Sequence, residues 1–194
     1  MCGVAGILGV KNIDDSTVAL AKSMTGILHH RGPDAWGVHI GRNYVLGNTR
    51  LRITDLSDSA DLPLNDPESG LALAYNGEVT NHKAIRKELE QHGVRFQTNS
   101  DSEVVLKAWG QWGPDCINKF SGQFVFAMVD THKQKAYIVR DFFGIRPIFY
   151  AQYGDQLQFA SESKSLLEEP RCSNALDLEG IYHYFSLAYY PRQH

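Results

Sequence analysis

The sequence is defined first by what it lacks. It has no excess of basic residues: 19 Lys and Arg stand against 22 Asp and Glu, for a formal net charge of -3. The cations are scattered, so no broad positive field exists to draw nucleic acid or an anionic membrane surface. The three cysteines, Cys2, Cys116 and Cys172, are odd in number and far apart, which argues against a disulfide framework. No CxxC pair occurs, excluding a zinc ribbon or a dithiol redox motif. The eight histidines fall in no HExxH-like spacing and read as surface or loop residues, so no metal site is expected. No apolar run is long enough to cross a membrane, and no basic segment precedes an apolar stretch at the N-terminus. A reducing, cytoplasmic setting fits, with small molecules and proteins as partners.

What remains suits one domain. At 194 residues and 43% apolar content, the chain buries enough surface to fold without a staple. Residues 3–10 read as a buried strand, with a helix from Asp14–Ser16 to about Leu28. Short strands are expected over 36–40 and 44–47, and a strand or extended segment over 50–56. Residues 57–70, with Pro63 and Pro67, read as a loop, and 71–75 as a strand ending in an Asn76-Gly77 turn. Helices are expected over 81–92 and from Ser100 or Asp101 onward, the latter with Val104, Val105, Ala108, Trp109 and Trp112 on its apolar face. Strands follow over 120–130, 135–140, 145–153 and 156–160, then a short helix over 162–167 and a weaker one over 176–186. The aromatics Phe120, Phe124, Phe126, Phe142, Phe143, Phe149 and Tyr150 read as core, and Cys116 and Cys172 as inert thiols. Strands joined by short turns predict antiparallel sheets with helices packed on them, an α+β chain.

Six positions carry chemistry in combination. A thiol attacks as thiolate, and its ordinary pKa of about 8.5 calls for a base. If Met1 is removed, Cys2 bears both a thiol and an α-amine of pKa about 7.7–8.0 on one Cα, so one residue supplies nucleophile and base. Alone, Cys2 is more simply a buried strand cysteine. Asn76 and Gly77 offer one side-chain amide and one backbone N–H to a developing oxyanion, a pairing worth roughly 10²–10³ in rate per donor. Alone, they are an ordinary turn. Arg50 suits a carboxylate, and Asp101 suits an ammonium group, although capping a helix is the commoner role for such an aspartate. Together they suit the zwitterionic end of an amino acid, with Glu78 beside them.

The order of the residues adds what no single position does. The stretches MCGVAGILG at 1–9, HRGPDAWG at 30–37, RLRITDLS at 50–57, YNGEVTNH at 75–82, SDSEVVLKAW at 100–109, FSGQFVFAMVD at 120–130, RDFFGIRPIFYA at 140–151 and FASESKSLL at 159–167 are collinear with one family. Over about residues 1–185 the chain resembles the glutaminase domain of class II glutamine amidotransferases, N-terminal nucleophile hydrolases, in the branch of glutamine-dependent asparagine synthetases. The resemblance implies a four-layer αββα sandwich, with Cys2 as nucleophile and its own amine as base. It implies Asn76 and Gly77 as oxyanion hole, Arg50 and Asp101 as grips on the α-groups of glutamine, and Leu51, Ile53 and Glu78 completing the pocket. Glutamate and ammonia are the implied products, with ammonia passed to an asparagine-forming synthetase domain or subunit.

The chain departs from the family pattern at several points. Asn48-Thr49 stands where basic or histidine-bearing residues are usual, Arg52 where serine is usual, and Thr80 where tyrosine is usual. Arg52 and Thr80 are therefore expected to bear on pocket shape or on contact with a partner. A Gly-rich pyrophosphate loop is absent, and so is GxxxxGK[ST]. ATP and Mg are thus expected only on a synthetase domain outside these residues, with no cofactor on this chain. Residues 186–194 read as a tail or the start of a linker toward such a domain, making the chain an excised domain or a standalone subunit. A homodimer is left open. Two rival readings stand beside hydrolysis: a catalytically silent module that binds or regulates a partner, and an N-terminal cysteine hydrolase acting on another amide.

Overall fold

The computed structural model describes residues 1–189. Its elements, in chain order, are β1 (Gly3–Leu8), α1 (Asp15–Gly26), β2 (Ala35–Ile40), β3 (Tyr44–Arg50), β4 (Leu64–Asp66), β5 (Leu71–Val79), α2 (His82–Gln91), α3 (Asp101–Trp112), β6 (Gly122–Asp130), β7 (Lys135–Arg140), β8 (Phe149–Tyr153), β9 (Gln156–Ala160), α4 (Ser163–Leu166) and α5 (Leu178–Leu187). The strands form two sheets, in the orders β2-β3-β1-β9-β8 and β4-β5-β6-β7, and every ladder is antiparallel.

The twofold alternation of the strands explains the layering. In β1, Ala5 and Ile7 turn outward, where with Val45 and Ala160 they pack on Ala21, Met24 and Leu28. Val4 and Leu8 turn inward, joining Tyr44, Leu46 and Phe159. They meet Ala72, Ala74, Val125, Ala127 and Val129 of the second sheet. The alternate residues of that sheet, Leu71, Leu73, Tyr75, Val79, Phe124, Phe126 and Met128, face α2 and α3 through Ile85, Leu89, Val104, Val105 and Trp109. Helix, sheet, sheet and helix stack in that order, the four-layer α+β sandwich expected.

Several local expectations are corrected. Asn76-Gly77 is not a turn but lies inside the nine-residue β5, paired to Val125 and Phe124 of β6. The long ladder overrides the local preference of the dipeptide. Glycine is needed there for close approach, since a Cβ at 77 would lie 2.6 Å from Phe124 Cα. The extended segment expected over 50–56 is strand only at Arg50; beyond it the chain follows the Arg50 guanidinium, which binds the Ser57 and Asp55 carbonyls. The expected loop over 57–70 contains β4, paired to β5. The cap of α3 is Ser100, whose hydroxyl accepts from Glu103 N at 3.2 Å.

The aromatic expectation divides. Phe124 and Phe126 are core and Phe120 packs against them, whereas Phe142 is 96% exposed, and Phe143, Phe149 and Tyr150 are exposed as well. The β7–β8 loop folds around Asp141, whose carboxylate accepts from the N–H groups of Phe124, Ile145 and Arg146. The backbone is tied inward and the rings of Phe142 and Phe143 are turned out. Cys116 is core, and burial pushes its thiol up to about 12, which fits an inert thiol. Of the expected tail, Ser186 and Leu187 end α5 and residues 190–194 lie outside the described residues. No helix among the described residues is long and apolar enough to cross a membrane.

Candidate active site

The inter-sheet layer is apolar through most of its length and turns polar at one end. On the inner face of β3 the alternation runs Tyr44, Leu46, Asn48, Arg50; on that of β5 it runs Ala72, Ala74, Asn76. The head of β1 lies at this end, so the sandwich brings residue 2, residue 50 and residue 76 together from three strands. The start of α3 adds Asp101.

A cavity of about 150 Å³ opens here, matched in scale to one amino acid rather than a nucleotide. All eight residues expected from the sequence line it: Cys2, Arg50, Leu51, Ile53, Asn76, Gly77, Glu78 and Asp101. Met1, Tyr75, Ser102 and Arg146, which the sequence did not single out, line it too. Arg52 and Thr80 do not. Arg52 instead braces its own loop through Asp58 and Asp61, each at 2.6 Å, and Thr80 binds the Ser121 carbonyl at 3.0 Å. Arg52 nonetheless shares Asp61 with Arg50 of the cavity wall.

Side chains pin the head of β1. Arg31 Nε donates to Cys2 O at 3.0 Å while its Nη1 reaches Glu162 at 2.8 Å. Gly3 N donates to Thr49 Oγ1 at 3.0 Å, and Val4 N to Ser161 Oγ at 3.0 Å. Leu51 N–H points at Cys2 Sγ from 3.5 Å. Burial pushes the Cys2 thiol above its ordinary value; the Leu51 hydrogen bond and the positive charges of the amino terminus and Arg50 act in the opposite direction without overcoming it. A base is therefore needed to form the thiolate. With Met1 in place the nitrogen of Cys2 is a peptide amide and supplies none.

Asn76 is 1% exposed, and its Nδ2 has no hydrogen-bond partner in the protein. An idle buried donor costs roughly 1–3 kcal/mol, and this one stands at a cavity wall where a ligand could meet it. Arg50 is 5% exposed and held by Asp61 at 2.6 Å and Ser57 O at 2.9 Å. Two of its five N–H donors are not used by these contacts or by that to Asp55 O. Asp101 Oδ2 accepts from Tyr75 Oη at 2.6 Å and from Val79 N at 3.0 Å, which fixes the carboxylate without engaging Oδ1. The Tyr75 hydroxyl is pushed well up by burial and by this carboxylate, and so keeps the proton it donates to Asp101. No group of three or more potential metal ligands occurs among the described residues.

Two facing antiparallel sheets between helices, with a cysteine heading the first strand at the rim of a cavity, define a four-layer α+β domain with a polar site at one end. A family model for the glutamine amidotransferase domain matches residues 1–194, and the chain belongs to that family. Among curated proteins it is similar to the glutamine-hydrolysing asparagine synthetase 2 of Bacillus subtilis, with 36% identity over 174 residues, 89% of this chain and 23% of that protein. It is likewise similar to asparagine synthetase B of Escherichia coli, with 36% identity over 169 residues, 86% of this chain and 30% of that protein. The chain thus spans less than a third of the length of these relatives. Among solved structures, the glutamine phosphoribosylpyrophosphate amidotransferase of Bacillus subtilis superposes with a TM-score of 0.71 at 21% identity, covering 84% of this chain and 42% of that one, a likeness of fold.

Proposed function

We propose that this domain hydrolyses glutamine to glutamate and ammonia, with Cys2, freed of Met1, as its nucleophile. The observation that carries this reading is the idle Asn76 amide in the same cavity as the Cys2 sulfur. Glutamine binds with its α-carboxylate on the free donors of Arg50 and its α-ammonium on Asp101 Oδ1. Backbone groups of Leu51 and Ile53, together with Glu78, close the pocket. The α-amine of Cys2 takes the thiol proton and the thiolate adds to the side-chain amide carbon. Asn76 Nδ2 and the Gly77 N–H stabilise the resulting oxyanion. The protonated amine passes its proton to the leaving nitrogen, ammonia departs, and a γ-glutamyl thioester remains. Water, deprotonated by the same amine, cleaves the thioester, releasing glutamate and restoring the thiol.

The ammonia is received, in this reading, by an asparagine-forming synthetase domain or subunit acting on aspartate, with ATP and Mg held there and no cofactor on residues 1–185. The names and lengths of the relatives support this assignment. The exposed Phe142, Phe143 and Ile145 support it as well, because their loop continues into Arg146 at the cavity wall. The test is release of glutamate and ammonia from glutamine by protein whose mature N-terminus is Cys2. Cys2→Ala is expected to abolish release with the fold intact; undiminished release from that variant overturns the reading.

A further inference from the structure

The proposed reaction requires a sulfur on one sheet and an amide on the other to converge on a single carbon. No strand ladder joins the two sheets, so the distance between them is set by side-chain packing. Among the described residues, the hydrogen bonds that run from a strand of one sheet to a strand of the other all pass through Asn48. Its Nδ2 donates to Gly3 O at 2.9 Å, to Tyr75 O at 3.2 Å and to its neighbour's carbonyl at Thr49 at 3.0 Å. Its Oδ1 accepts from Tyr75 N at 2.7 Å. The residue is 0% exposed. It therefore grips the backbone one residue beyond Cys2 and one residue before Asn76.

We infer that Asn48 is a positioning residue that sets the separation of nucleophile and oxyanion donor, acting through the backbone of Gly3 and Tyr75 and touching no substrate. The inference rests on the glutaminase reading above. Only a short side chain with both a donor and an acceptor satisfies this pattern. The amide bonds both the N–H and the carbonyl of Tyr75, so β5 cannot slide without breaking one bond of the pair. Tyr75 also carries the hydroxyl that holds Asp101, so the same stitch leads to the proposed ammonium grip.

Asn48→Asp preserves shape and the acceptor for Tyr75 N while removing the donors. Misplacement of reacting groups by about 1 Å costs on the order of 10² in rate. With active sites counted by covalent titration with an electrophilic glutamine analogue, kcat per titrated site is expected to fall by about that factor, with KM for glutamine little changed. Should Asn48→Asp not fold, Asn48→Ser, which retains one donor, is read in the same way. Thr25→Val serves as a control: Thr25 is buried on the outer side of the same sheet and bonds only its own helix, at Ala21 O. It is expected to lower the melting temperature while leaving kcat per site unchanged. Equal kcat per site in the Asn48 variants, a change confined to KM, or the same loss in Thr25→Val overturns the positioning role. Absence of glutamine hydrolysis in the unmutated protein overturns instead the reading on which it rests, and the role with it.

Discussion

Two buried asparagines face each other across the sandwich, and they differ in one respect. Asn48 is 0% exposed and hydrogen-bonded at both ends of its amide; Asn76 is 1% exposed and its nitrogen bonds to nothing in the protein. Burial without partners is costly, and at Asn76 that cost falls on a group at the cavity wall. The first asparagine is spent on the fold, while the second is withheld from it. That contrast separates residues that build the site from those available to its ligand. It recurs nearby, where Asp101 of the cavity wall commits one oxygen to Tyr75 and Val79 and leaves the other out of both bonds.

Both asparagines matter only if they serve the Cys2 sulfur, and removing that sulfur has the largest expected effect. Cys2→Ala should eliminate ammonia release from glutamine while the protein still unfolds in one cooperative transition. Protein retaining Met1 should be silent as well. Its Cys2 thiol, raised by burial and lacking an adjacent amine, should react with iodoacetamide only at more alkaline pH than the mature protein, as read from the pH profile of alkylation.

The asparagines themselves should then part company. Asn76→Ala should lower kcat by roughly 10²–10³ without loss of stability, since the group removed had no partner to lose. Asn48→Ala should cost roughly 1–3 kcal/mol for each buried backbone group it strands, read by denaturant unfolding. If Asn76→Ala proved the more destabilising of the two, the contrast would fail.

A smaller effect concerns the support of Cys2 by Arg31. Burial alone would raise the Glu162 carboxyl, but hydrogen bonds from Arg31, Lys164 and His30 outweigh it and hold the group at about 2, below its ordinary 4.5. A depressed folded-state value stabilises the fold above about pH 4.5 and is lost as pH falls toward about 2. Glu162→Gln should lower the melting temperature above about pH 4.5, with the difference from the unmutated protein shrinking as pH falls toward about 2. The smallest effect should come from Phe142→Ser, which exposes nothing new and should shift stability by less than about 0.5 kcal/mol.

Much of the architecture was readable because strand and helix periods declare themselves. The ranges of β7 and β9 were found to the residue, and the site residues followed from their order along the chain. What escaped reading was set by tertiary partners. Asn-Gly carries a local turn signal that the β5–β6 ladder overrides, and the reason for glycine at 77 is the Phe124 backbone, distant in sequence. Phe124 and Phe142 look alike in a hydrophobic profile; only the carboxylate of Asp141, folding the loop back on itself, turns the second outward. Asn48 did leave a trace, as the polar third member of the alternation Tyr44, Leu46, Asn48, Arg50, but its partners on β5 could not be inferred from it.

The account stands on one residue acting as both attacker and proton acceptor. Intact-mass and peptide mass spectrometry of the protein treated with an electrophilic glutamine analogue tests this directly. The account predicts a single glutamyl-type adduct on a peptide that begins at Cys2, with Met1 gone. Glutamine hydrolysis by protein that keeps Met1, or an adduct at Cys116 or Cys172 in place of Cys2, would contradict it.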